Sequence, residues 1–396
     1  MMTETTQFHM QPMLPAVGSP DIGELDDLAF DLTSKAAALA GTVPTAVHDG
    51  VGELVRSMNC YYSNLIEGHH THPRDIERAL AADFSVEPEQ RDLQLEATAH
   101  IAVQALVDGG GEEVPFHPGE DYICWLHKAL CDRLSDSLLW VDNPDTGERL
   151  RIVPGEIRKH DVAVGRHVPP EAAAISPLLE HFAQAYDPNR LGRAPRIMAA
   201  AASHHRLLWI HPFLDGNGRV ARMLSHAYLR HIGLGSALWS VSRGLARQVD
   251  RYKEALASAD MTRQGDLDGR GALSEAALVQ FCRFFLESCI DQVDFMTEML
   301  DPARFLVRLE RQAGIAETEE RLPTRSFALL REALMIGTFQ RGKAAEITGY
   351  KERKARDILS ELLDRGYLVS ANLRAPVRLG FPAEALADWF PRLYPE

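Results

Sequence analysis

The sequence predicts a mainly α-helical protein whose helical core carries a small β-hairpin and is followed by a small α+β domain of winged-helix type. Three observations lead to this prediction. Apolar residues recur at helical spacing through most of the first 320 residues. Strand-like pieces occur there only between residues 149 and 170. After Glu320 the pattern changes to short helices followed by a hairpin, which occupy residues 321–396.

Composition and charge restrict the class of protein. The chain has 396 residues, of which 45% are hydrophobic and 25% charged, as is typical of a globular protein with two domains. Its net charge of −14 argues against nucleic-acid binding by the whole molecule. Residues 321–396 hold 13 Lys and Arg against 9 Asp and Glu, so they carry +4 and the remainder −18. The five cysteines have no metal-site spacing, and neither a signal peptide nor a membrane-spanning run is evident. We therefore expect a cytoplasmic protein with no membrane partner.

The N-terminal region is expected to hold an arm and several helices. Residues 1–20 lack periodicity, which predicts a flexible arm, and residues 21–115 are predicted to be helical. One helix, within residues 44–68, has apolar residues at helical spacing and ends at Gly68. The histidines that follow lack the i,i+4 spacing of metal ligands on a helix, so a metal site is not expected there.

Residues 116–313 are predicted to form the helical core. Helices are expected over residues 121–134, 171–186, 195–210, 248–258, 274–300 and 302–313. Residues 150–153 precede a Pro-Gly pair and residues 162–165 precede a pair of prolines, so we expect these pieces to form a short hairpin. The segment 195–210 is apolar enough to be a buried helix.

The stretch that follows this helix, residues 211–222, combines the groups that a phosphate-handling site requires. His211 can act as a base, and a positioned base typically accelerates a reaction on the order of 10²–10⁴-fold. Asp215 is a hard oxygen ligand suited to Mg²⁺ beside phosphates. These two residue types predict a metal-assisted reaction at a phosphate.

The same stretch contains the parts of an anion site. Gly216, Asn217 and Gly218 form a turn at the start of an apolar helix, where free backbone N–H groups and the helix dipole attract anions. Arg219 and Arg222 are three residues apart, so they share a helix face and can bind one polyphosphate.

Residues 211–222 resemble the signature of the Fic family, His-Pro-Phe-x-Asp/Glu-Gly-Asn-Gly-Arg-x-x-Arg, and meet every fixed position of it. The resemblance implies a Fic-type helical core and AMPylation, which is the transfer of AMP from ATP to a Ser, Thr or Tyr hydroxyl of a target protein or of the enzyme itself. It implies that His211 is the base, that Asp215 holds Mg²⁺, and that the glycine turn and both arginines bind ATP.

The resemblance also implies a flap that docks the target segment by main-chain pairing. In this chain the flap corresponds to Val162, Ala163, Val164 and Gly165. Relatives often carry an Asn-Arg pair shortly before the residue that matches Tyr252, where this chain has Gln248 and Val249.

A second motif closes the helix within residues 44–68. Ser63 and Glu67 are four residues apart, and Glu67 stands at the negative end of the helix dipole, which costs a few tenths of a kcal/mol. The stretch resembles the inhibitory Ser/Thr-x-x-x-Glu-Gly/Asn motif of many Fic proteins. The resemblance implies that Glu67 pairs with Arg222, fixed by Ser63, and obstructs ATP. From the residues alone, a solvated surface carboxylate is the alternative.

The sequence supports more than one candidate function. The first is an autoinhibited AMP transferase whose partners are ATP and a protein target, with a homodimer left open. The second is a DNA-binding regulator that uses the core as a nucleotide sensor, because the C-terminal domain has a modest basic face. This face consists of Lys351, Arg353, Lys354 and Arg356 on the third helix, with Arg374 and Arg378 near the wing. Acidic residues on the same helix favour protein binding over DNA. Fic-type transfer of another phosphate-containing group, or removal of AMP, also remains open.

Overall fold

The structure, a computed structural model, describes residues 8–43, 45–111, 113–142, 147–235 and 237–394. Packing divides the chain into two compact units. Unit 1 comprises Met1–Lys35, Asn59–Ser236 and Ser240–Gln292, and unit 2 comprises Ala36–Met58, Ala237–Trp239 and Val293–Glu396. The division of the sequence into N-terminal helices, core and C-terminal domain stays a prediction. Within the described ranges, no helix is both long and apolar enough to cross a membrane.

Helices dominate the architecture, as predicted. The elements up to the signature stretch are α1 (Ile22–Thr42), α2 (Thr45–Ile66), α3 (Pro73–Leu80), α4 (Pro88–Gly109), α5 (Glu120–Cys131), β1 (Trp140–Asp142), β2 (Arg149–Arg151), α6 (Ile175–Tyr186) and α7 (Arg193–Ile210). Those from the signature onwards are α8 (Asn217–His231), α9 (Val241–Arg247), α10 (Val249–Ala259), α11 (Glu275–Leu300), α12 (Pro302–Thr318) and α13 (Ser326–Ile336). The C-terminal elements are β3 (Thr338–Phe339), α14 (Ala344–Thr348), α15 (Glu352–Asp364), β4 (Leu368–Val369), β5 (Val377–Leu379) and α16 (Ala383–Trp389).

The core of unit 1 is built on α7, which is buried on nearly every side. Its run of four alanines, residues 199–202, is fully buried, and these small side chains allow α8 to pack closely against it. The polar residues of α7 are also buried and have partners. His204 lies between the Ser225 hydroxyl at 2.8 Å and the Tyr252 hydroxyl at 2.7 Å. The segment that leads into the signature is therefore rigidly held by its side-chain contacts.

The prediction that residues 150–153 and 162–165 pair as a hairpin is wrong. Strand β2 pairs with β1, with Val141 opposite Leu150, and not with residues 162–165. That later segment forms only a tight turn, in which Val164 and His167 exchange backbone hydrogen bonds of 2.9 and 3.0 Å. The sequence pointed to residues 162–165 because of their valines, but the pairing partner of β2 lies earlier in the chain, where the strand signal is only three residues long.

The flexible arm is contradicted for residues 8–20, which pack into unit 1; residues 1–7 lie outside the described ranges. Met10 and Met13 are buried. The Met13 carbonyl accepts a 2.7 Å hydrogen bond from Tyr186, and the Pro12 carbonyl accepts two from the buried Arg206. Irregular backbone has no periodicity to detect, so the anchoring of this segment by distant side chains could not be predicted.

Unit 2 contains the winged-helix elements that the sequence predicts. Its sheet has the order β3-β5-β4, and the predicted pair is confirmed with Leu368 opposite Leu379. The sequence missed β3 and α16. Trp389 of α16 is fully buried and packs edge-on against the rings of Phe305, Tyr367 and Phe381. A single large aromatic side chain therefore joins α12, the sheet region and the C-terminal helix of this unit.

Candidate functional site

The signature stretch forms the turn between α7 and α8. His211 ends α7 in a left-handed conformation, with φ of +51°, and Gly216 precedes α8 with φ of +80°. A non-glycine residue in this region carries strain of about 1–3 kcal/mol, which persists only where surrounding contacts impose it. Here the carboxamide of Asn217 supplies such contacts. It accepts from the Phe213 N–H at 2.9 Å and donates to the Phe213 carbonyl at 2.8 Å.

The backbone of His211 is held by a residue that the sequence did not single out. Arg158 is buried, and its guanidinium donates to the carbonyls of His211 at 2.8 Å, His160 at 2.9 Å and Pro170 at 2.5 Å. Its own backbone N–H donates to the Pro212 carbonyl at 2.9 Å. The turn that carries His211 is therefore attached to the loop of residues 158–170 through Arg158. The sequence analysis missed Arg158 because the acceptors of its guanidinium lie in different parts of the chain, and such contacts have no local sequence signature.

The environment of His211 keeps its imidazole neutral. Burial lowers the pKa of His211 to about 4, and a hydrogen bond between the ring and the Leu208 carbonyl only partly opposes this effect. A ring N–H that faces a carbonyl leaves the other nitrogen as a proton acceptor. His211 can therefore act as a base at neutral pH without first losing a proton to solvent.

Arg222 is buried and fully engaged by the end of α2. Its side chain donates to the Ser63 hydroxyl at 2.8 Å, to the Ser63 carbonyl at 3.2 Å and to Glu67 Oε1 at 2.5 Å. The side chain of Glu67 is 37% exposed, against 2% for Arg222. Burial alone would raise the pKa of Glu67, but Arg222 and then Arg219 lower it below its usual value. The surface-carboxylate alternative for Glu67 is therefore wrong.

Glu67 also covers the start of α8. A Cβ atom at Gly218 would overlap the Glu67 carboxylate, so the two groups are in direct contact. The first N–H groups of a helix have no acceptor within it, and the positive end of its dipole attracts anions. In this structure the anion at that position is the Glu67 side chain. A Cβ atom at residue 218 would therefore require the Glu67 carboxylate to shift.

Arg219 is held by different carboxylates. It donates to Glu96 Oε1 at 3.0 Å and to Asp215 Oδ2 at 2.9 Å, while Glu96 Oε2 lies 2.8 Å from Nδ1 of His69. The hydrogen bond to Glu96 raises the pKa of His69. Burial alone would raise the pKa of Glu96, but His69 and Arg219 lower it. The two signature arginines are therefore paired with carboxylates from two different helical regions.

The structure brings most of the predicted site residues together, with one change of role. His211, Asp215, Gly216, Gly218, Arg219, Arg222, Ser63 and Glu67 belong to one connected site. The carboxamide of Asn217, expected to bind phosphate, is instead used entirely on the Phe213 backbone. Only the backbone of Asn217 is then left for an anion.

His127 is a further site residue that the sequence analysis missed. It stacks on Phe213 with 3.9 Å between ring centroids and an angle of 4°, and its Nδ1 accepts from the Gly155 N–H at 2.9 Å. Burial lowers its pKa to about 4. His127 borders a small pocket together with Cys131, Asp215 and Arg219. The neutral ring supports the turn from beneath.

Asp215 offers a carboxylate to a metal ion. The Asp215 side chain is 50% exposed and shares only one oxygen with Arg219. The described residues contain no group of three or more His, Cys, Asp or Glu that could hold a metal. One carboxylate fits Mg²⁺, which takes its remaining ligands from phosphates and water.

The segment predicted as a docking flap is exposed at its tip. Ala163, Val164 and Gly165 are exposed, Val164 by 41%. Gly165 has φ of +59°, which allows the tight turn to His167. The backbone N–H and carbonyl of Val164 are already bonded to His167, so docking of a target segment at this tip stays a prediction.

The sequence of the core matches a known protein family. Residues 117–229 match the family model of the Fic/DOC family. Curated proteins named protein adenylyltransferase Fic match over 79 residues, with 35% identity in Drosophila erecta and 39% in Aedes aegypti. These matches cover 20% of this chain and 16% of the relatives, so the chain aligns with only a small part of their length.

Solved structures show the same fold over a larger part of the chain. A Fic family protein from Desulfovibrio desulfuricans G20 aligns with a TM-score of 0.52 and 17% identity, covering 92% of this chain and 98% of its own. Fic-1 from C. elegans, residues 134–508, aligns with a TM-score of 0.51 and 16% identity, covering 70% of this chain and 74% of its own. The fold is therefore a mainly helical Fic-type fold with small antiparallel sheets.

Proposed function

We propose that the protein transfers AMP from ATP to a Ser, Thr or Tyr hydroxyl of a protein, and that Glu67 keeps the resting enzyme inactive. One observation carries the proposal. A neutral base, a helix N-terminus and two arginines converge within residues 211–222, and a carboxylate of the same chain lies where an anionic ligand belongs. The match of residues 117–229 to the Fic/DOC family and the names of the curated relatives support it.

The chemical step needs little from the protein beyond positioning and a proton acceptor. The free ring nitrogen of His211 takes the proton of the target hydroxyl as its oxygen attacks the α-phosphorus. The new P–O bond forms while the bond between the α-phosphorus and the bridging oxygen breaks, and pyrophosphate leaves. The start of α8 and Arg222 bind the negative charge of the leaving phosphates once Glu67 has moved away.

Asp215 is the residue that would hold Mg²⁺ during this step. The ion would supply charge neutralisation at the phosphates. Because Arg219 shares an oxygen of Asp215 in the resting structure, its guanidinium must move or share that carboxylate when metal and nucleotide bind.

Autoinhibition follows from competition for the same groups. Charge-assisted hydrogen bonds contribute roughly 1.5–3 kcal/mol each. A ligand that requires Arg222 must first displace Glu67, so the competent state is a minor population. The partly exposed position of Glu67 makes this displacement feasible without unfolding of α2.

The first prediction concerns the variants Glu67→Gly, Glu67→Gln and His211→Ala. We expect Glu67→Gly to raise the labelling of the protein itself, or of proteins in a lysate, at least tenfold over the wild type. Glu67→Gln should raise it less, because the amide can still bond to Arg222. His211→Ala added to Glu67→Gly should abolish it. The measurement is incorporation of label from ATP labelled at the α-phosphate, with Mg²⁺.

Two controls separate this reaction from its alternatives. ATP labelled at the γ-phosphate should give no incorporation, whereas transfer of a phosphate group would reverse the two results. Removal of AMP is tested by incubating the labelled protein with wild-type enzyme in buffer without labelled ATP and measuring the loss of label. Equal labelling by wild type and Glu67→Gly contradicts the inhibitory role, and full labelling without His211 contradicts the catalytic one.

A second candidate function, DNA binding by unit 2, is favoured by one observation on α15 and the residue before it. Lys351, Arg353, Lys354 and Arg356 are all exposed, and within the described ranges none of them forms an ion pair. Lys354 lies over the ring of Tyr350 at 3.9 Å. Unpaired cations at the start of a winged-helix recognition helix are suited to phosphate contacts. This candidate does not exclude the first.

A further inference from the structure

Unit 1 contains a second cavity that the proposed AMP transfer does not use. It has a volume of about 470 Å³ and lies between the loop that follows the flap, the end of α7 and the end of α10. Its apolar walls include Pro170, Leu178, Trp209 and Leu273. The volume is within the range of ligand pockets, which is about 300–1,000 Å³.

The charged groups of this cavity are acidic. Asp260 and Glu171 line it, together with His9 and His167, and its lining contains no Lys or Arg among the described residues. Glu171 is exposed, whereas the Asp260 side chain is only 24% exposed. A partly buried carboxylate over apolar walls favours a cationic group with an aliphatic stem. The same carboxylates disfavour a polyphosphate.

Asp260 is held in place by a buried chain of hydrogen bonds. Arg206 Nη1 donates to Nδ1 of His205 at 2.6 Å, so Nε2 of His205 carries the proton and lies 3.0 Å from Asp260 Oδ1. Burial lowers the pKa of His205 to about 4, so the imidazole orients Asp260 without neutralising it. The other oxygen, Oδ2, has His167 Nδ1 at 3.7 Å, which is beyond hydrogen-bond distance. Among the described residues, Oδ2 of Asp260 accepts no hydrogen bond, so this oxygen is available to a ligand.

The cavity is adjacent to the catalytic turn and to the flap. Trp209 lies two residues before His211, and Arg158 donates to the carbonyls of both His211 and Pro170. His167 lines the cavity and exchanges backbone hydrogen bonds with Val164 of the flap. A segment docked on the flap would therefore lie beside both the turn that carries His211 and the cavity, and an extended segment would turn alternate side chains to the same side.

We propose that this cavity receives a lysine or arginine side chain of the target segment, a few residues from the hydroxyl that is modified, and that Asp260 and Glu171 bind its charge. The inference rests on the proposed AMP transfer, since it concerns the target of that reaction. It assigns the enzyme a preference for acceptor sites with a basic neighbour. It also gives Trp209 the role of packing against the aliphatic stem.

The first test measures acceptor preference. A peptide library with a fixed central Thr and degenerate flanking residues is incubated with Glu67→Gly, ATP and Mg²⁺, and AMP-carrying peptides are sequenced by mass spectrometry. We expect Lys and Arg to be enriched at one flanking position. In the Glu67→Gly background, Glu171→Lys and Asp260→Asn should each reduce that enrichment on the order of tenfold, as expected when one charge-assisted hydrogen bond is removed. Glu254→Lys, the same charge change at an exposed position of α10 outside the cavity, should leave it unchanged.

The second test does not depend on catalysis. Binding of a fluorescein-labelled peptide of alternating Lys and Thr to His211→Ala is measured by anisotropy against the matched Glu-Thr peptide. We expect the basic peptide to bind at least tenfold more tightly, and Glu171→Lys or Asp260→Asn to remove most of that difference. Thermal unfolding checks that each variant is folded; Asp260→Asn keeps an acceptor for His205.

Together, the two tests distinguish failure of the proposed binding pocket from failure of the proposed AMP transfer. Basic preference in binding with no AMP transfer to any peptide contradicts the proposed function and supports the pocket. AMP transfer without basic preference, unaffected by Glu171→Lys, overturns the pocket and leaves the function standing. Equal binding of both peptides likewise overturns the pocket.

Discussion

At the scale of single residues, the turn between α7 and α8 depends on Asn217. Its carboxamide satisfies both the N–H and the carbonyl of Phe213 and is almost fully buried. No other side chain in the described ranges bonds to that pair of backbone groups. The orientation of His211 and the position of the first N–H groups of α8 both follow from this closed turn.

We therefore expect Asn217→Ala to destabilise the protein and to reduce AMP transfer. Leaving two buried backbone groups without partners costs about 1–3 kcal/mol in free energy of unfolding. Asn217→Asp keeps the acceptor for the Phe213 N–H but removes the donor, so its destabilisation should be intermediate. Urea unfolding checks this, with Asn189→Ala, at an exposed asparagine, as the control. Equal stability of the Asn217 and Asn189 variants would contradict a structural role.

The sequence was informative about residues that are close together in the chain and uninformative about distant pairs. His211, Asp215 and the glycine turn fall within one short stretch, so their proximity could be predicted. Glu96 and Arg219 are 123 residues apart, and Glu96 stands in a helix with many other polar residues. Only the packing of α4 beside α8 brings them together. The Glu67–Arg222 pair, 155 residues apart, was expected solely because of a family resemblance.

At the scale of elements, prediction succeeded for periodic helices and failed for short or irregular pieces. The helix over residues 195–210 was expected, and α7 spans Arg193–Ile210. By contrast, β1 and β3 have three and two residues, too few to show an alternating pattern. The seven-residue helix α9 is buried throughout, apart from its last residue, so it shows no polar face. Tertiary contacts rather than local preference define these elements.

Helix α15 with Lys351 allows a decisive test of the DNA-binding candidate. Each cation that binds a phosphate of B-DNA contributes about 0.9 to the slope of log K against log salt. The double variant Arg353→Ala, Arg356→Ala should therefore lower the slope by about 1.8 and weaken binding to all duplexes similarly. Anisotropy of a labelled random duplex at several salt concentrations measures this. The control is Arg304→Ala, Arg311→Ala, which removes two exposed arginines of α12. The DNA-binding candidate is rejected if the wild type shows no salt-dependent binding.

At the scale of the whole molecule, unit 1 buries several histidines whose pKa is lowered by burial. Burial lowers the pKa to about 3 for His100 and His204, and to about 4 for His127, His205 and His211. Several lie on α7 or beside it, so their protonation would place charge in the most densely packed part of the fold. His211, the proposed catalytic base, is one member of this group.

Protonation of these buried histidines makes the free energy of unfolding depend on pH. Between about pH 6.5 and about pH 4, the unfolded chain binds protons at these histidines and the folded chain does not, so stability falls as the pH is lowered. Each such histidine contributes about 1.4 kcal/mol per pH unit within that window. His69 acts in the opposite direction, because its raised pKa gives stability that is present at low pH and lost as the pH rises.

We expect a steep decrease in thermal and urea stability between about pH 6.5 and pH 5, above the range in which carboxylates titrate. Calorimetric unfolding in buffers of different ionisation enthalpy should show uptake of several protons on unfolding at about pH 5.5. The exposed His70 provides a control, since His70→Gln should not change this uptake. Stability that is constant from about pH 7 to pH 5 would contradict the prediction.

The pairing of Arg219 and Arg222 with carboxylates from separate helices has a consequence for accuracy in a crowded cell. Glu67 follows α2 and Glu96 belongs to α4, so each arginine is held by a carboxylate of a different helical segment. Under the proposed function, an ATP molecule that needs both arginines would encounter a competent site only when both contacts are open. Accidental modification of bystander proteins would then be rarer than with one contact alone, whereas a partner that displaces both helical segments together would remove both restraints at once.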